Sequence, residues 1–192
     1  MSLRVALLVP GMLALAACVT FERTPVATLD CDPALAGRWR PVADGAPDSP
    51  VDIAADCTMR WPEDDGGTFV TTLAGFALDG ERYLVFSPAA ADRLINEHGQ
   101  LEAQVPKHDV LLVRYRIEGD RATVWLADTR EAARPADAGM AQGRKAGDDL
   151  VRVRGHRAAI RRLLQARGTR IFAGKDDGMG TMQFVRTEGT TP

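Results

Sequence analysis

The sequence has little of the chemistry that marks enzyme and metal sites. Its three histidines, at positions 98, 108 and 156, have neither the H-x-H nor the HExxH spacing of zinc sites, and no CxxC pair is present. Serine is scarce, and Ser87 stands in VFSPA, which is not a nucleophile elbow. No G-x-x-x-x-G-K pattern is available to bind phosphate. We therefore predict a non-enzymatic protein without a metal or other cofactor.

A strong excess of charge and a long apolar segment are also missing. The 192 residues carry a formal net charge of -2, which does not predict binding to nucleic acid. After residue 18 no run approaches the roughly 20 apolar residues that a membrane-spanning helix needs. The composition, 45% hydrophobic and 26% charged, is that of a globular protein, and the length fits one domain.

The N-terminus carries the pattern of a secretory signal. A single arginine precedes an almost wholly apolar run, Val5 to Ala17, which is too short to span a membrane. The stretch Leu15-Ala16-Ala17-Cys18 resembles the lipobox of bacterial lipoprotein precursors. The resemblance implies that residues 1–17 are removed and that the Cys18 thiol receives a diacylglycerol. The alternative is an ordinary signal peptide cleaved nearby, with Cys18 left as a thiol.

Lipidation of Cys18 would also indicate where in the cell the protein is located. Several acyl chains buried at about 0.8 kcal/mol per methylene make a stable membrane anchor. In the sorting rule that accompanies the lipobox, aspartate after the lipidated cysteine favours the inner membrane, and Val19 stands there instead. The resemblance thus implies an outer-membrane protein facing the periplasm. Residues 18–30 contain no clear period, so we predict a lipidated tether followed by a single domain at residues 31–192.

Two further cysteines form an even pair in the exported chain. Cys31 and Cys57 lie 26 positions apart, and disulfides are common outside the cytoplasm. We predict a structural disulfide worth roughly 3 kcal/mol in the chain-entropy model. A redox or metal role is the alternative for these cysteines.

The body of the chain has the alternating pattern of β-strands. The clearest pair is Val110 to Glu118 and Arg121 to Ala127, joined by Gly119-Asp120. Further candidate strands, separated by turn-rich runs, are Gly37 to Val42, Val51 to Ala54, Thr58 to Trp61, Thr68 to Ala77, Arg82 to Phe86, Leu150 to Arg154, Thr169 to Ala173 and Thr181 to Thr187. Many short strands predict an antiparallel barrel or a β-sandwich, with an α+β domain as the alternative.

Two stretches predict short helices. Ala89 to His98 follows Ser87 as a possible cap, and Ala158 to Arg167 is followed by Gly168 as a stop. Residues 128–149 have no sustained apolar face and are predicted to be a long excursion with a helical turn at Thr129 to Arg134.

A tryptophan near the start of the predicted domain carries the one family resemblance in the body of the chain. Gly37-Arg38-Trp39 resembles the G-x-W opening of lipocalin-like (calycin) barrels, where the tryptophan plugs the closed end and an arginine of the last strand covers it. Here alternation places Arg186 on one face with Met182 and Phe184, so the resemblance implies a barrel-closing pair of Trp39 and Arg186.

Arginine is concentrated between residues 152 and 170, where no acidic residue occurs. Guanidinium groups bind phosphate through two hydrogen bonds, so this cluster could form an anion or partner patch; a solvated helix face is the alternative. The residues predicted for the patch are Arg152, Arg154, Arg157, Arg161 and Arg162.

These features favour a lipid-anchored envelope protein that binds an apolar ligand or acts as an accessory. The ligand would occupy a cavity lined by Phe69, Leu73, Phe76, Tyr83, Val113 and Tyr115. The alternatives are a protein-protein docking or inhibitor module of an envelope machine, and an envelope hydrolase.

Overall fold

The described part of the chain is mainly β, as predicted. A computed structural model describes residues 18–42, 50–63, 66–95, 104–146, 150–174 and 180–187, so the predicted signal segment 1–17 lies outside the described residues. Within these ranges the strands are β1 (Cys18–Phe21), β2 (Gly37–Pro41), β3 (Val51–Ile53), β4 (Thr58–Pro62), β5 (Thr68–Thr72), β6 (Ala74–Leu78), β7 (Glu81–Phe86), β8 (Val110–Glu118), β9 (Arg121–Trp125), β10 (Gln142–Lys145), β11 (Leu150–Arg154) and β12 (Thr181–Thr187). The α-helices are α1 (Pro88–Ile95), α2 (Thr129–Ala133) and α3 (Arg157–Ile171).

The strands form one mixed sheet with β8 at its branching point. β7 pairs with one edge of β8 and leads to β6, whereas β9 and β1 share the other edge. From β9 the sheet continues through β12, β2, β3 and β4 to β5. From β1 it continues to β11, which runs parallel to β1, and then to β10.

The sheet is open, which corrects the prediction of a closed antiparallel barrel. β5 and β6 are separated only by Leu73, yet the described strands β5 and β6 do not pair with each other. The backbone of Gly75 in β6 instead exchanges two hydrogen bonds with Asp30, each 2.9 Å long. Because Asp30 takes that edge of β6, closure through β5 does not occur. The parallel pairing of β1 with β11 also departs from a purely antiparallel sheet.

Residues 18–30 do not form the predicted tether along their whole length. Cys18–Phe21 is a strand inside the sheet, between β8 and β11. Val19, Thr20 and Phe21 are buried. Three buried residues and two neighbouring strands fix this segment in the domain, so any lipid on Cys18 would be attached directly at the start of a strand.

Helix α3 extends beyond the predicted stop at Gly168. The predicted strand Thr169 to Ala173 is wrong, because α3 continues to Ile171 and Phe172 caps it. Gly168 is buried, and a Cβ built there would lie 2.7 Å from the hydroxyl oxygen of Tyr83. Close packing of the helix on β7 explains this glycine, which is a use of glycine that sequence patterns do not separate from a helix stop.

The predicted excursion at residues 128–149 contains regular structure. Asp128 caps α2 by accepting a hydrogen bond from the Glu131 N–H (2.9 Å), and β10 follows at Gln142–Lys145. Residues 147–149 lie outside the described residues, as do residues 96–98 of the first predicted helix. No helix in the described ranges is long and apolar enough to cross a membrane.

The two faces of the sheet build separate apolar clusters. One face packs against α3, and its cluster includes Phe21, Tyr83 and Phe172. The other face forms a cluster around Leu84 and Val113. Because side chains alternate along a strand, β7 and β8 contribute to both clusters.

Candidate functional site

The sheet face away from α3 surrounds an apolar cavity of about 220 Å³. The eighteen described residues that line it are all apolar, and they come from seven strands, from the segments beside them and from α1. A cavity of about 150 Å³ with a similar lining stays dry and binds benzene, so this volume can hold a larger apolar group. The lining includes Trp39, Met59, Trp61, Leu84, Val113 and Phe184.

Strand alternation explains why the lining is uniformly apolar. In β8, Leu111 and Val113 face the cavity, whereas Leu112 packs in the cluster beneath α3. In β9, Val124 lines the cavity and pairs with Met182 of β12, which lines it too. Each strand therefore presents every second residue to the cavity.

Trp39 and Arg186 meet at one end of the cavity. Trp39 is 3% exposed, and the Arg186 guanidinium lies 4.4 Å from its ring centroid. Arg186 also donates hydrogen bonds to the carbonyl oxygens of Ala34 (2.9 Å) and Ala36 (2.8 Å). The Nε1–H of Trp39 donates to the Leu35 carbonyl (2.7 Å). The two predicted residues thus cover the end of the cavity next to the start of β2.

The glycine of the G-x-W stretch has a steric reason. Gly37 has a φ of 137°, a backbone conformation that favours glycine. A Cβ at this position would also lie 3.2 Å from Arg186 Nη1. The glycine therefore allows Arg186 to reach over Trp39.

The predicted disulfide is confirmed. Cys31 and Cys57 are bonded, with a Cα–Cα distance of 5.8 Å. The bridge joins the segment before β2 to the turn before β4. It therefore strengthens the same end of the cavity that Trp39 and Arg186 cover.

A hydrogen-bonded polar group lies beside that end. The Asp32 carboxylate accepts hydrogen bonds from the Tyr115 hydroxyl (2.6 Å), from Arg82 (2.5 Å) and from the Ala34 N–H (3.0 Å). Burial raises the pKa of Asp32, but these hydrogen bonds outweigh burial and hold the pKa below its usual 3.8. Burial, followed by the bond to Asp32, raises the pKa of Tyr115. Through these hydrogen bonds, Asp32 links Arg82 of β7 and Tyr115 of β8 to the segment before β2.

The opposite end of the cavity has exposed lining residues. Leu126 and Met182 line the cavity and are 36% and 40% exposed. We call this end the mouth, and α1 covers part of it with Ala91 and Leu94. Helix α1 begins as predicted, since the Ser87 hydroxyl oxygen accepts a hydrogen bond from the Ala90 N–H (3.2 Å).

An ion pair attaches α1 to the hairpin of β4 and β5. Arg93 donates to both carboxylate oxygens of Glu63, at 2.9 and 2.7 Å. Its guanidinium also lies 5.4 Å from the ring centroid of Phe69. These contacts hold the helix across the mouth.

Cys18 lies close to the mouth. It packs against the cluster of Ala91, Val105 and Leu150, and Ala91 also lines the cavity. On the edge of β8, β9 pairs as far as Arg114, whereas β1 pairs with Leu111 and Val110. If both pairings continue along β8 in the same register, Leu126 after β9 and Cys18 at the start of β1 both come opposite Val113.

The structure divides the predicted arginine patch. Arg152 donates to both carboxylate oxygens of the buried Asp109 (2.6 and 2.8 Å), and this bond raises the Arg152 pKa. Arg162 donates to the Gly139 carbonyl (2.9 Å). These two arginines hold the domain together and do not belong to a free patch. The side chains of Arg154, Arg157 and Arg161 are exposed and form no ion pair with a described residue.

The predicted cavity lining was partly correct. Leu73 and Val113 line the cavity, and Phe69 packs against the cluster around Leu84 and Val113. Phe76 and Tyr83 lie on the opposite face, where their rings stack 5.0 Å apart. The prediction omitted Trp61 and Phe184, which alternation in β4 and β12 could have indicated.

Comparisons with known proteins add no family. The chain matches no protein-family model, no curated protein and no solved structure.

Proposed function

We propose that this protein is a lipid-anchored, non-enzymatic protein of the outer membrane that faces the periplasm and holds an apolar ligand. The cavity carries the ligand-binding part of this proposal, and the lipobox resemblance of Leu15-Ala16-Ala17-Cys18 carries the anchor. The described residues of the cavity lining are all apolar, and the cavity is covered at the Trp39 end and exposed at the mouth. A ligand that moves from water into the cavity gains about 25 cal/mol per Å² of apolar surface that it buries.

Binding of cis-parinaric acid, a fluorescent polyene fatty acid, to a Cys18→Ser protein without residues 1–17 tests the ligand site. We expect saturable fluorescence enhancement that long-chain fatty acids reverse. Val124→Phe fills the cavity from β9, and we expect at least a tenfold loss of affinity, about 1.4 kcal/mol. Thr123→Phe places the same ring on the opposite face of β9 and serves as the control. Equal binding by the parent protein and Val124→Phe contradicts a ligand site in the cavity.

The mass of the exported protein tests the anchor. After expression with residues 1–17 in a Gram-negative bacterium, we expect the mass of the chain from Cys18 plus acyl groups, and loss of those groups on delipidation. We then expect fractionation of the cell membranes to recover the protein with the outer membrane. A mass without acyl groups contradicts the anchor and leaves the ligand site to its own test.

Docking to an envelope protein is the second candidate function. Arg157 and Arg161 stand one turn apart on the exposed side of α3, and Arg154 lies just before them. Helix α3 covers the sheet face opposite the cavity, so this surface stays accessible when a ligand is bound. Under this candidate, replacing the three arginines by glutamine abolishes co-purification of an acidic partner from solubilised membranes and leaves probe binding unchanged. Unchanged co-purification contradicts docking through this surface.

A further inference from the structure

The cavity restricts the chemistry of its ligand. The described residues of its lining offer no charged or amide side chain, and the Trp39 Nε1–H already donates to the Leu35 carbonyl. A polar group placed inside would lose its hydrogen bonds to water without replacement. At about 220 Å³ the cavity is also smaller than the roughly 300–1,000 Å³ typical of sites for drug-sized ligands. The end of a slender hydrocarbon chain meets both limits.

Among the described residues, only those at the mouth leave room for a polar head group. Leu35, Trp39 and Arg186 cover the other end, where Arg186 is bonded to two backbone carbonyls. At the mouth, Leu126 and Met182 are exposed beside α1. A chain that enters past these two side chains buries its tail and keeps its head group in solvent or at a membrane surface.

The proposed anchor lies at the same place. Cys18 faces the α1 side of the sheet, and β1 and β9 approach one point on β8, next to the exposed Leu126. Because β1 begins at Cys18 itself, little chain separates an acylated Cys18 from the domain. The acyl groups would hold the mouth against the bilayer.

We infer that the ligand is the hydrocarbon tail of a membrane lipid, which enters the cavity through the mouth from the bilayer that holds Cys18. This inference rests on the proposed function, because it needs both the apolar site and the anchor. It adds the chemical class of the ligand, its source and its route.

Photo-crosslinking of the complete acylated protein tests the inference. The protein is reconstituted into vesicles of phosphatidylethanolamine and phosphatidylglycerol that contain a phosphatidylglycerol with a diazirine at the end of one acyl chain. After illumination, peptide mass spectrometry locates the cross-links. We expect them at cavity residues such as Val113 and Trp39 and at the mouth residue Met182. In Val124→Phe we expect the cross-links at Trp39 to fall at least fivefold while those at Met182 remain.

Cross-links confined to the exposed mouth, or equal cross-links at Trp39 in Val124→Phe, overturn the inference. A cavity filled by the protein's own Cys18 acyl chain gives the first of these results. If the Cys18→Ser protein still binds cis-parinaric acid, only the membrane source and route fail. If it does not bind that probe, the proposed ligand site fails as well.

Discussion

The two faces of β7 and β8 are packed to different extents, although the same strands supply both. Under α3, the rings of Phe21 and Phe172 stack 6.5 Å apart, and Tyr83 meets Phe172 edge to face at 5.4 Å. On the opposite face, Leu84 and Val113 line a cavity of about 220 Å³. The 15-residue α3 completes the first face, whereas the 8-residue α1 covers only part of the second. The unfilled volume thus follows from an incomplete cover, and its side chains are as apolar as those of the filled core.

Matched leucine truncations should separate the two faces most strongly. We expect Leu163→Ala, in α3, to lower the free energy of unfolding by about 4 kcal/mol, and Leu84→Ala, in the cavity wall, by about 2 kcal/mol. Leu163 is closely surrounded, so its removal creates a new cavity, whereas Leu84 already borders empty space. Urea denaturation measures both values. Equal losses would mean that the two faces are packed alike.

Removal of the disulfide should have the next largest effect. The Cys31→Ser/Cys57→Ser protein is expected to lose about 3 kcal/mol, because the unfolded chain regains the freedom of the loop. Urea denaturation under oxidising conditions compares it with the parent protein. We also expect weaker probe binding, since the bridge supports the covered end of the cavity. A change within about 0.5 kcal/mol would contradict a stabilising role.

A glycine tests how tightly the helix face is packed. Gly168→Ala should destabilise the protein by about 1–2 kcal/mol despite the better helix propensity of alanine, because its Cβ would lie 2.7 Å from the Tyr83 hydroxyl oxygen. In a Tyr83→Phe background that oxygen is absent, and the same substitution should become neutral or stabilising. Thermal unfolding of the four proteins gives the coupling. A Gly168→Ala effect that is identical in both backgrounds would exclude this contact as the cause.

Lowering the pH should reduce the free energy of unfolding by less than the substitutions above, through Asp32 at the covered end of the cavity. The pKa of Asp32 is lowered in the folded protein, so its contribution to stability is present above the unfolded value of 3.8 and is lost as pH falls through the folded pKa. Urea denaturation from about pH 5 to about pH 3 should therefore show a smaller loss of stability for Asp32→Asn than for the parent protein. Parallel curves for the two proteins would show that Asp32 is not the group that titrates.

Local patterns in the sequence correctly predicted several features. Alternation and Gly119-Asp120 predicted the β8–β9 hairpin, and the position of Ser87 before an alanine-rich run predicted the start of α1. The even number of cysteines after Cys18 predicted the disulfide. Each depends on residues close in sequence or on a simple count. The contact between Trp39 and Arg186 joins the two ends of the domain, and it was predicted from the resemblance together with the alternation in the last strand.

The tertiary structure alone decided which edges pair and which face remains unfilled. β1 has no recognisable period, and its place depends on β11, more than 120 residues away. Gly75 pairs with Asp30, and the sheet stays open. Arg152 was predicted to lie in a surface patch, but it binds the buried Asp109. The cavity also depends on the tertiary structure. The alternating pattern of a strand specifies that one of its faces must be covered, but it does not specify which element covers it. That cover depends on how distant elements share space, which neither period nor composition encodes.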